Sequence, residues 1–585
     1  MSKKRSTGFA SQPTRRAFVK GSAAATAAMA TAAAGVTTAL ADKPGDSRPP
    51  EPGEPAGAQA VATADTPWSF EVAPEPIPDD QIATTVEADV VVVGAGMSGL
   101  VSALSCVEGG LDVVVVTASQ AAVSRGGSNN AVFSQVMEEM GLPRLDPEFY
   151  RLQYLANNGN IMPAFWYKYY ANSEASMNWL VGKAAAAGIK TTVESGADFA
   201  QGDPMWTPAG AHAFYVEDSE LEGQVGTGEP HIAGELARIL EEDHGTAIWW
   251  RTLAEQLVRD DGGAGRVSAV IARGMDDGAY TKFVARKAVI LATGDFSHDR
   301  DMMARYCPQC LDLCNFDLEV NYDAGLAMGG LMPGAGQKMG LWVGAAWQKT
   351  EPNVFMLGRP NFPADNPYTA HTGLMVDANG RRFMNEDVLG GTALATVMHL
   401  PGETCYCIWG TNRASDFGQW GKPNCVYGAT FGSPVEVIAT WDNDTYGFGI
   451  KKSDTLEGLI ADLGLPMDAT LATVARYNEL CLAGADADFY KDARKMIGVL
   501  DPPFYGCAFK PGFLTSLGGL RTNVDLQVCD AADQPIPGLF NVGSMIGDFY
   551  SGVYTFAMEG MNYGACCITL PYVLGQELAA GKFDA

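Results

Sequence analysis

A glycine run between a β-branched strand and a helix is the first group of residues in this chain whose types and spacing fit a chemical task. Gly94-Ala95-Gly96-Met97-Ser98-Gly99 follows Asp89-Val90-Val91-Val92-Val93 and leads into a helix over 100–108 and a second apolar strand over 111–116. A G-x-G-x-x-G string alone is weak evidence. At a strand-to-helix turn inside a unit of about 30 residues it marks a dinucleotide-binding βαβ unit. Gly94 permits the turn, Gly96 lets the backbone approach a pyrophosphate, and Gly99 lets helix and strand pack closely. The helix start at Met97 and Ser98 presents free N–H groups to phosphate. The second strand ends in Thr117-Ala118-Ser119, where an acidic residue usually holds the adenosine ribose. Hydroxyls such as that of Thr117, or water, must make that contact.

Cysteines form the second group. Cys307, Cys310 and Cys314 have a spacing that would supply part of an iron–sulfur cluster, with a fourth ligand from Cys405, Cys407 or Cys425. A disulfide is one alternative, and inert thiols are the other, since free Cys is commonly a small buried apolar residue. No Cys-x-x-Cys-His is present to attach a haem, and the first histidine is His212.

Two further segments point to a flavin rather than a nicotinamide. Ala288-Val289-Ile290-Leu291-Ala292-Thr293-Gly294 resembles the strand that closes on FAD in two-dinucleotide-fold flavoproteins, and Ile536-Pro537-Gly538-Leu539-Phe540-Asn541-Val542-Gly543 resembles their last FAD strand. Ser544 stands where that strand is usually followed by glutamate. No second G-x-G-x-x-G in a βαβ unit offers a nicotinamide site.

With these segments the chain resembles the fumarate reductase/succinate dehydrogenase flavoprotein superfamily, nearest its soluble branch of flavocytochrome c fumarate reductases, urocanate reductases and 3-oxosteroid dehydrogenases. The resemblance also includes Gly334-Ala335-Gly336, Asn379-Gly380-Arg381-Arg382-Phe383-Met384-Asn385-Glu386 and Thr515-Ser516-Leu517-Gly518-Gly519-Leu520. It implies an α/β fold in which a bipartite Rossmann-like FAD domain, 88–346 and 502–585, is interrupted by an α+β capping domain over 347–501. It implies non-covalent FAD, with Ser124, Gly126, Gly127 and Ser128 along the isoalloxazine and Asn562 opening the last helix toward it.

Departures from the family pattern bear on the substrate. Thr515 replaces the family's histidine, Gly390 stands where its proton-delivering arginine would be, and no arginine follows Arg521. A dicarboxylate would lose its charge-assisted contacts. In place of the arginine loop stands Gly547-Asp548-Phe549-Tyr550-Ser551-Gly552-Val553-Tyr554. A phenol with pKa near 10 stays protonated at neutral pH and donates to a carbonyl oxygen or a carbanion; the alternative is that Tyr550 and Tyr554 are aromatic packing. Asp548 reads equally as a turn residue or a ligand of the FAD ribityl chain. In the cap, Asp387 and Arg382 are further candidate proton donors. The expected activity is reduction of an activated C=C bond in an enone, lactone or aryl acrylate. The alternatives are a 3-oxosteroid-type dehydrogenase and a flavin electron-transfer subunit without catalysis of its own.

The remaining elements say where this chemistry takes place. Thr14-Arg15-Arg16-Ala17-Phe18-Val19-Lys20, an Ala-rich stretch over 21–40 and Ala39-Leu40-Ala41 resemble a twin-arginine signal and its cleavage site, which implies export of a folded, cofactor-loaded protein. A Pro/Ala-rich linker is expected over 42–87. Residues 1–41 hold six Lys or Arg and no acid, so their removal takes the net charge from −28 to −34. Such a surface repels nucleic acid and suits a basic redox partner. A separate cytochrome or quinol-linked module is the expected electron donor. No apolar run after the signal has the ~20 residues of a membrane span.

Overall fold

The computed structural model describes residues 67–584 apart from 157–158, 194–209, 217–227, 326–328, 360–372, 389, 417–432, 445–448, 553, 555–557 and 559. The central sheet is eight-stranded. Its core is the parallel set β16 (Pro535–Asn541), β9 (Tyr280–Leu291), β1 (Ile82–Val93), β2 (Val113–Val116) and β6 (Ala247–Trp249), in that order. β15 (Gln527–Cys529) is added antiparallel at one edge, and β7 (Thr252–Arg259) and β8 (Val267–Gly274) extend antiparallel from β9. Val90 to Val93 are buried, as continuous β-branched runs are when helices or loops cover both sheet faces.

Register explains why three distant motifs meet. Val93 is level with Val116 on one side and Leu291 on the other, and Asn541 is level with Leu291. The turns that follow, Gly94, Thr117, Ala292 and Val542, therefore leave the sheet at one rim. Ligands of open α/β sheets sit at that carboxyl rim. The helix α1 (Met97–Glu108) packs back against the terminal helix, a π-helical stretch Asn562–Thr569 continued by Leu570–Ala579, tying the two halves of the FAD domain together.

A second, antiparallel sheet belongs to the capping region: β10 (Asn353–Arg359), β14 (Phe504–Leu517), β12 (Cys405–Gly410) and β11 (Leu374–Val376), with β13 (Lys451–Ser453) on β14. β14 is 14 residues long and pairs along its whole length. Strand pairing thus carries the cap to Leu517, past the boundary expected at 501. The chain passes into and out of the cap side by side: Gln348 donates its N–H to Gly519 O at 2.9 Å, and its Oε1 accepts the Gly519 N–H at 2.7 Å.

The expected linker also ends earlier than 87. Phe70 is 2% exposed and shares a core with Phe296, Met302 and Met303. β1 already pairs with β9 from Ile82. Two apolar residues, Trp68 and Phe70, suffice to fold the end of a Pro-rich segment onto the domain, because burying one aromatic ring offsets the ordering of a few residues. The signal and residues 42–66 lie outside the described residues.

Cys307, Cys310, Cys405, Cys407 and Cys507 are buried thiols in that same core. Burial pushes Cys310 up to about 12 and raises the Cys307 thiol well above its ordinary value, so they stay protonated and apolar. Among the described residues no group of three His, Cys, Asp or Glu side chains is placed to hold a metal. Of the three alternatives, cluster, disulfide and inert thiols, the last describes Cys307, Cys310 and Cys314, and Cys425 lies outside the described residues. No helix among the described residues is long and apolar enough to cross a membrane.

Candidate active site

At the shared rim of β1, β2 and β9 opens a cavity whose empty space, counted together with the open solvent at its mouth, is about 1710 Å3. One end is formed by Thr117, Ala118 and Ser119, the middle by 94–98 and 292–294, and the other end by 125–128, Leu514, Thr515, Tyr554 and Asn562.

Backbone crowding dictates the glycines of the middle. Gly94 has φ +114°, and a Cβ there would lie 2.3 Å from Ala292 O; a Cβ on Gly99 would lie 2.0 Å from Gly94 O. Gly96 differs, since its Cβ would meet only Val123 O, at 3.9 Å. Its missing side chain leaves room on the cavity side. No side chain caps the N-terminus of α1, so its first amides are available to an anion. Thr293 Oγ1 accepts the Gly336 N–H at 3.0 Å and Gly294 O accepts from Gln337 Nε2 at 2.9 Å, which fixes the turn on the far wall. At the ribose end, Thr117 Oγ1 and Ser119 Oγ lie 2.8 Å apart, both lining the cavity. The hydroxyls stand where the acid is missing.

At the other end the terminal helix locks against the 124–130 segment. Tyr563 Oη accepts the Arg125 N–H at 2.7 Å and lies 3.1 Å from Ser124 Oγ. A Cβ on Gly126 would strike the Tyr563 ring at 2.3 Å, and one on Gly564 would strike Asn130 O at 1.9 Å. Of the expected cofactor residues, Gly94, Gly96, Met97, Ser98, Thr117, Gly126, Gly127, Ser128, Thr293, Gly294, Ser544 and Asn562 line the cavity. Gly99, Ser124 and Gly543 stand one layer behind: Gly543, at φ +80°, backs onto Ser98 Oγ. The uncapped helix start, the glycine cradle and the length of the cavity fit FAD.

The candidate catalytic residues separate. Tyr554 lines the cavity. Its Oη accepts the Asn562 N–H at 3.3 Å and donates to Met558 O at 3.4 Å. Burial raises its pKa above the usual 10, so it is a donor throughout the neutral range. Tyr550 does not reach the cavity. It is 5% exposed, edge-on to Trp166 and Tyr554 at 5.8 and 4.9 Å, and its Oη is buried without a hydrogen bond of good geometry. Asp548 is neither a ribityl ligand nor a mere turn. At φ +61° its carboxylate accepts the N–H groups of Lys349 and Thr350 at 3.2 and 3.0 Å, holding the strand that enters the cap.

Arg382 and Asp387 are not brought to this cavity, which corrects the expectation that either faces the reaction. Arg382 forms a two-point pair with Glu386 at 2.9 and 2.7 Å, bonds Asp486 at 2.8 Å, and lies between the Tyr477 and Phe489 rings. Asp387 accepts from Lys495 Nζ at 2.6 Å. These charges brace the cap. Arg125, which nothing in the sequence singled out, is the one charged side chain among the described residues lining the cavity. Its only mark there is a long cation set between Ser124 and two glycines. It lies far from the C-terminal loop in which an arginine was sought.

The family model described as an FAD binding domain matches residues 89–559. Digoxin reductase of Eggerthella lenta is 26% identical over 577 residues, covering 93% of each chain. Urocanate reductase of the same organism is 24% identical, covering 86% of this chain and 76% of its own. The solved 3-ketosteroid-Δ4-(5α)-dehydrogenase of Rhodococcus jostii RHA1 superposes with a TM-score of 0.61 at 19% identity, over 88% of this chain and 98% of that one. The chain belongs to the FAD-binding-domain family, on the side of the soluble fumarate reductase relatives, and is an FAD-dependent oxidoreductase.

Proposed function

We propose that this protein is an exported reductase of an activated C=C bond, with a neutral α,β-unsaturated carbonyl compound as acceptor. The observation that carries the reading is Tyr554, a protonated phenol on the wall of a cavity whose single cation is already paired with an acid. Bound FAD supplies the hydride for the β-carbon. Tyr554 donates the proton that completes the α-carbon, so one hydride and one proton are added across the double bond, and the phenolate is reprotonated from solvent. The 94–98 amides hold the pyrophosphate, the Thr117 and Ser119 hydroxyls the ribose, and the Asn562 helix start faces the flavin end, where its positive pole stabilises the negative charge of the reduced ring. That the long relatives are named as reductases of digoxin and urocanate supports the reductive direction.

Electrons come from a separate redox protein. The acidic surface, −34 without residues 1–41, suits a basic cytochrome or a quinol-linked module. The Arg15-Arg16 motif, the Ala-rich run and Ala39-Leu40-Ala41 support export of the folded flavoprotein through the twin-arginine route. The deciding experiment is an anaerobic screen of enones, lactones and aryl acrylates against viologen-reduced enzyme. Acceptor-dependent reoxidation of the flavin upholds the reading; a flavin bleached by saturated ketones instead would establish the dehydrogenase direction, and indifference to both would leave an electron-transfer subunit.

A further inference from the structure

Arg125 is held at three points. Its backbone N–H is donated to Tyr563 Oη at 2.7 Å, Nη1 bonds Asp295 Oδ2 at 3.3 Å, and Nη2 bonds Leu514 O at 3.2 Å. Leu514 lies on β14, the strand that runs from the cap sheet into the FAD domain. The guanidinium therefore spans the seam between the two, where a substrate must sit to meet both.

Its donors divide cleanly. A guanidinium carries five N–H groups in a rigid fork. One from each Nη is committed to Asp295 or Leu514, and Nε is buried without a partner. One hydrogen on each Nη remains, and the side chain keeps 17% of its surface open.

Asp295 cannot itself take a proton from substrate, because its acceptors are taken. With 0% exposure it accepts from Arg125 and Thr515 Oγ1, and from the Ser297 N–H and Oγ at 3.2 and 2.8 Å. Thr515 thus serves Asp295 rather than substrate. The pair is formally neutral. A carboxylate placed against it would bring a charge that no other side chain among the described lining residues offsets, whereas a neutral carbonyl brings none. Negative charge that grows on a carbonyl oxygen as the double bond is reduced would meet fixed donors that need no reorganisation, the arrangement that gives electrostatic catalysis most of its effect.

We propose that Arg125 is the carbonyl-binding residue of this enzyme, oriented by Asp295, and that it selects neutral unsaturated ketones, esters or lactones over the corresponding acids. The proposal rests on the ene-reductase reading above and gives its neutral acceptor a binding residue and a set of donor atoms.

The test uses full-length mature holoenzyme with three probes of one skeleton: benzylideneacetone (neutral enone), cinnamate (its acid counterpart) and benzylacetone (the saturated ketone, which binds without being reduced). Wild type is expected to be reoxidised about 100-fold faster by the enone than by the acid. Arg125→Gln should lose about 100-fold with the enone, and should no longer show the shift of the flavin absorbance band that benzylacetone gives in wild type. Arg125→Lys, which keeps a charge but not the fork, should recover part of both. FAD content and reoxidation by ferricyanide should stay at wild-type values in both variants, while the melting temperature should fall in Arg125→Gln, which strands the buried Asp295 carboxylate, and fall less in Arg125→Lys. An Arg125→Gln enzyme that keeps its enone rate, sheds FAD or slows with ferricyanide would overturn the assignment, as would equal use of cinnamate by wild type. If wild type reduces none of these acceptors, the ene-reductase reading fails for them, and benzylacetone binding still decides: a shift lost in Arg125→Gln upholds the role, and no shift, or an unchanged one, ends it.

Discussion

Tyr554 Oη accepts the backbone N–H of Asn562 at 3.3 Å, so one phenol both lines the cofactor cavity and occupies an amide at the start of the terminal helix. Tyr550, four residues earlier, has its ring edge-on to Tyr554 and its hydroxyl buried without a well-formed hydrogen bond. Two tyrosines that look equivalent in the sequence therefore differ in what removing an oxygen does.

Tyr554→Phe should lower turnover about 100-fold, the usual cost of about 3 kcal/mol for a lost transition-state donor. FAD content should hold. Tyr550→Phe should keep most of the activity and lose little stability, since its buried hydroxyl has only a poorly aligned contact with Tyr554 to give up. Because burial raises the Tyr554 pKa above 10, the proton stays on the phenol and the rate should not fall between pH 7 and 10 through loss of this donor. Parallel rate, pH and thermal-melt measurements on the two Phe variants decide the assignment; full activity in Tyr554→Phe would return the search for a proton donor to the cap.

The glycines of the fingerprint should likewise part company. Gly99→Ala drives a Cβ to 2.0 Å from Gly94 O, and relief requires moving backbone, at about 1–3 kcal/mol or more. Apo-protein stability should drop with it. Gly96→Ala meets only Val123 O at 3.9 Å, so the apo protein should melt as wild type does while FAD affinity falls. Melting curves with and without added FAD separate the two effects.

FAD should be released whole by heat or acid. His212, paired with the Asn129 strand beside the flavin segment, is fully buried, with Nδ1 2.8 Å from Gly210 O and Nε2 2.6 Å from Ser134 Oγ. Burial, against those backbone bonds, holds its pKa down to about 4; it is neutral, fully bonded and outside the cavity lining. Flavin that stays with the denatured chain would refute this. Export is read independently: changing Arg15 and Arg16 to Lys should leave yellow, uncleaved protein in the cytoplasm.

What was legible in the sequence was local. Gly94 to Gly99 and Thr293-Gly294 each sit at the end of a strand that a β-branched run announces, Gly543-Ser544 after one that only its likeness to a known FAD strand marks, and parallel register alone then brings the three turns to one rim. The rest depends on contacts between distant residues. Arg125 acquires its role from Asp295 and Leu514, 170 and 389 residues away. Phe70 turns a Pro-rich stretch into part of a core only because Met302 and Phe296 offer it a surface. Arg382 lies in a family motif, yet its partners Glu386 and Asp486 neutralise it, and the second of these is 104 residues on. Pattern shows that a residue carries charge; only the fold shows whether that charge is already paired.

The last prediction follows from that pairing. Arg382, Glu386, Asp486 and Lys491 form a nearly solvent-free cluster in the cap, with Lys491 Nζ 3.5 Å from Glu386 and the Arg382 side chain 6% exposed. Removing one member of a buried pair strands the other, at about 3–5 kcal/mol. Arg382→Met should therefore destabilise the cap strongly at neutral pH, although Met fills much of the same volume. Burial alone would raise the Asp486 pKa. The Arg382 guanidinium and the Lys491 and Phe489 amides outweigh it and hold the carboxyl near 2. An unfolded Asp titrates at about 3.9, so this contribution to stability is complete above that value and is lost as pH falls through 2. Without Arg382 much of that depression disappears, so the stability gap between wild type and Arg382→Met should be widest above pH 4 and should narrow toward pH 2. Urea unfolding followed by tryptophan fluorescence at stepped pH measures it. FAD absorbance should be unaffected wherever the variant is folded, because none of these four residues lines the cavity. A gap that is constant with pH would mean that Arg382 acts by packing between Tyr477 and Phe489 rather than by charge.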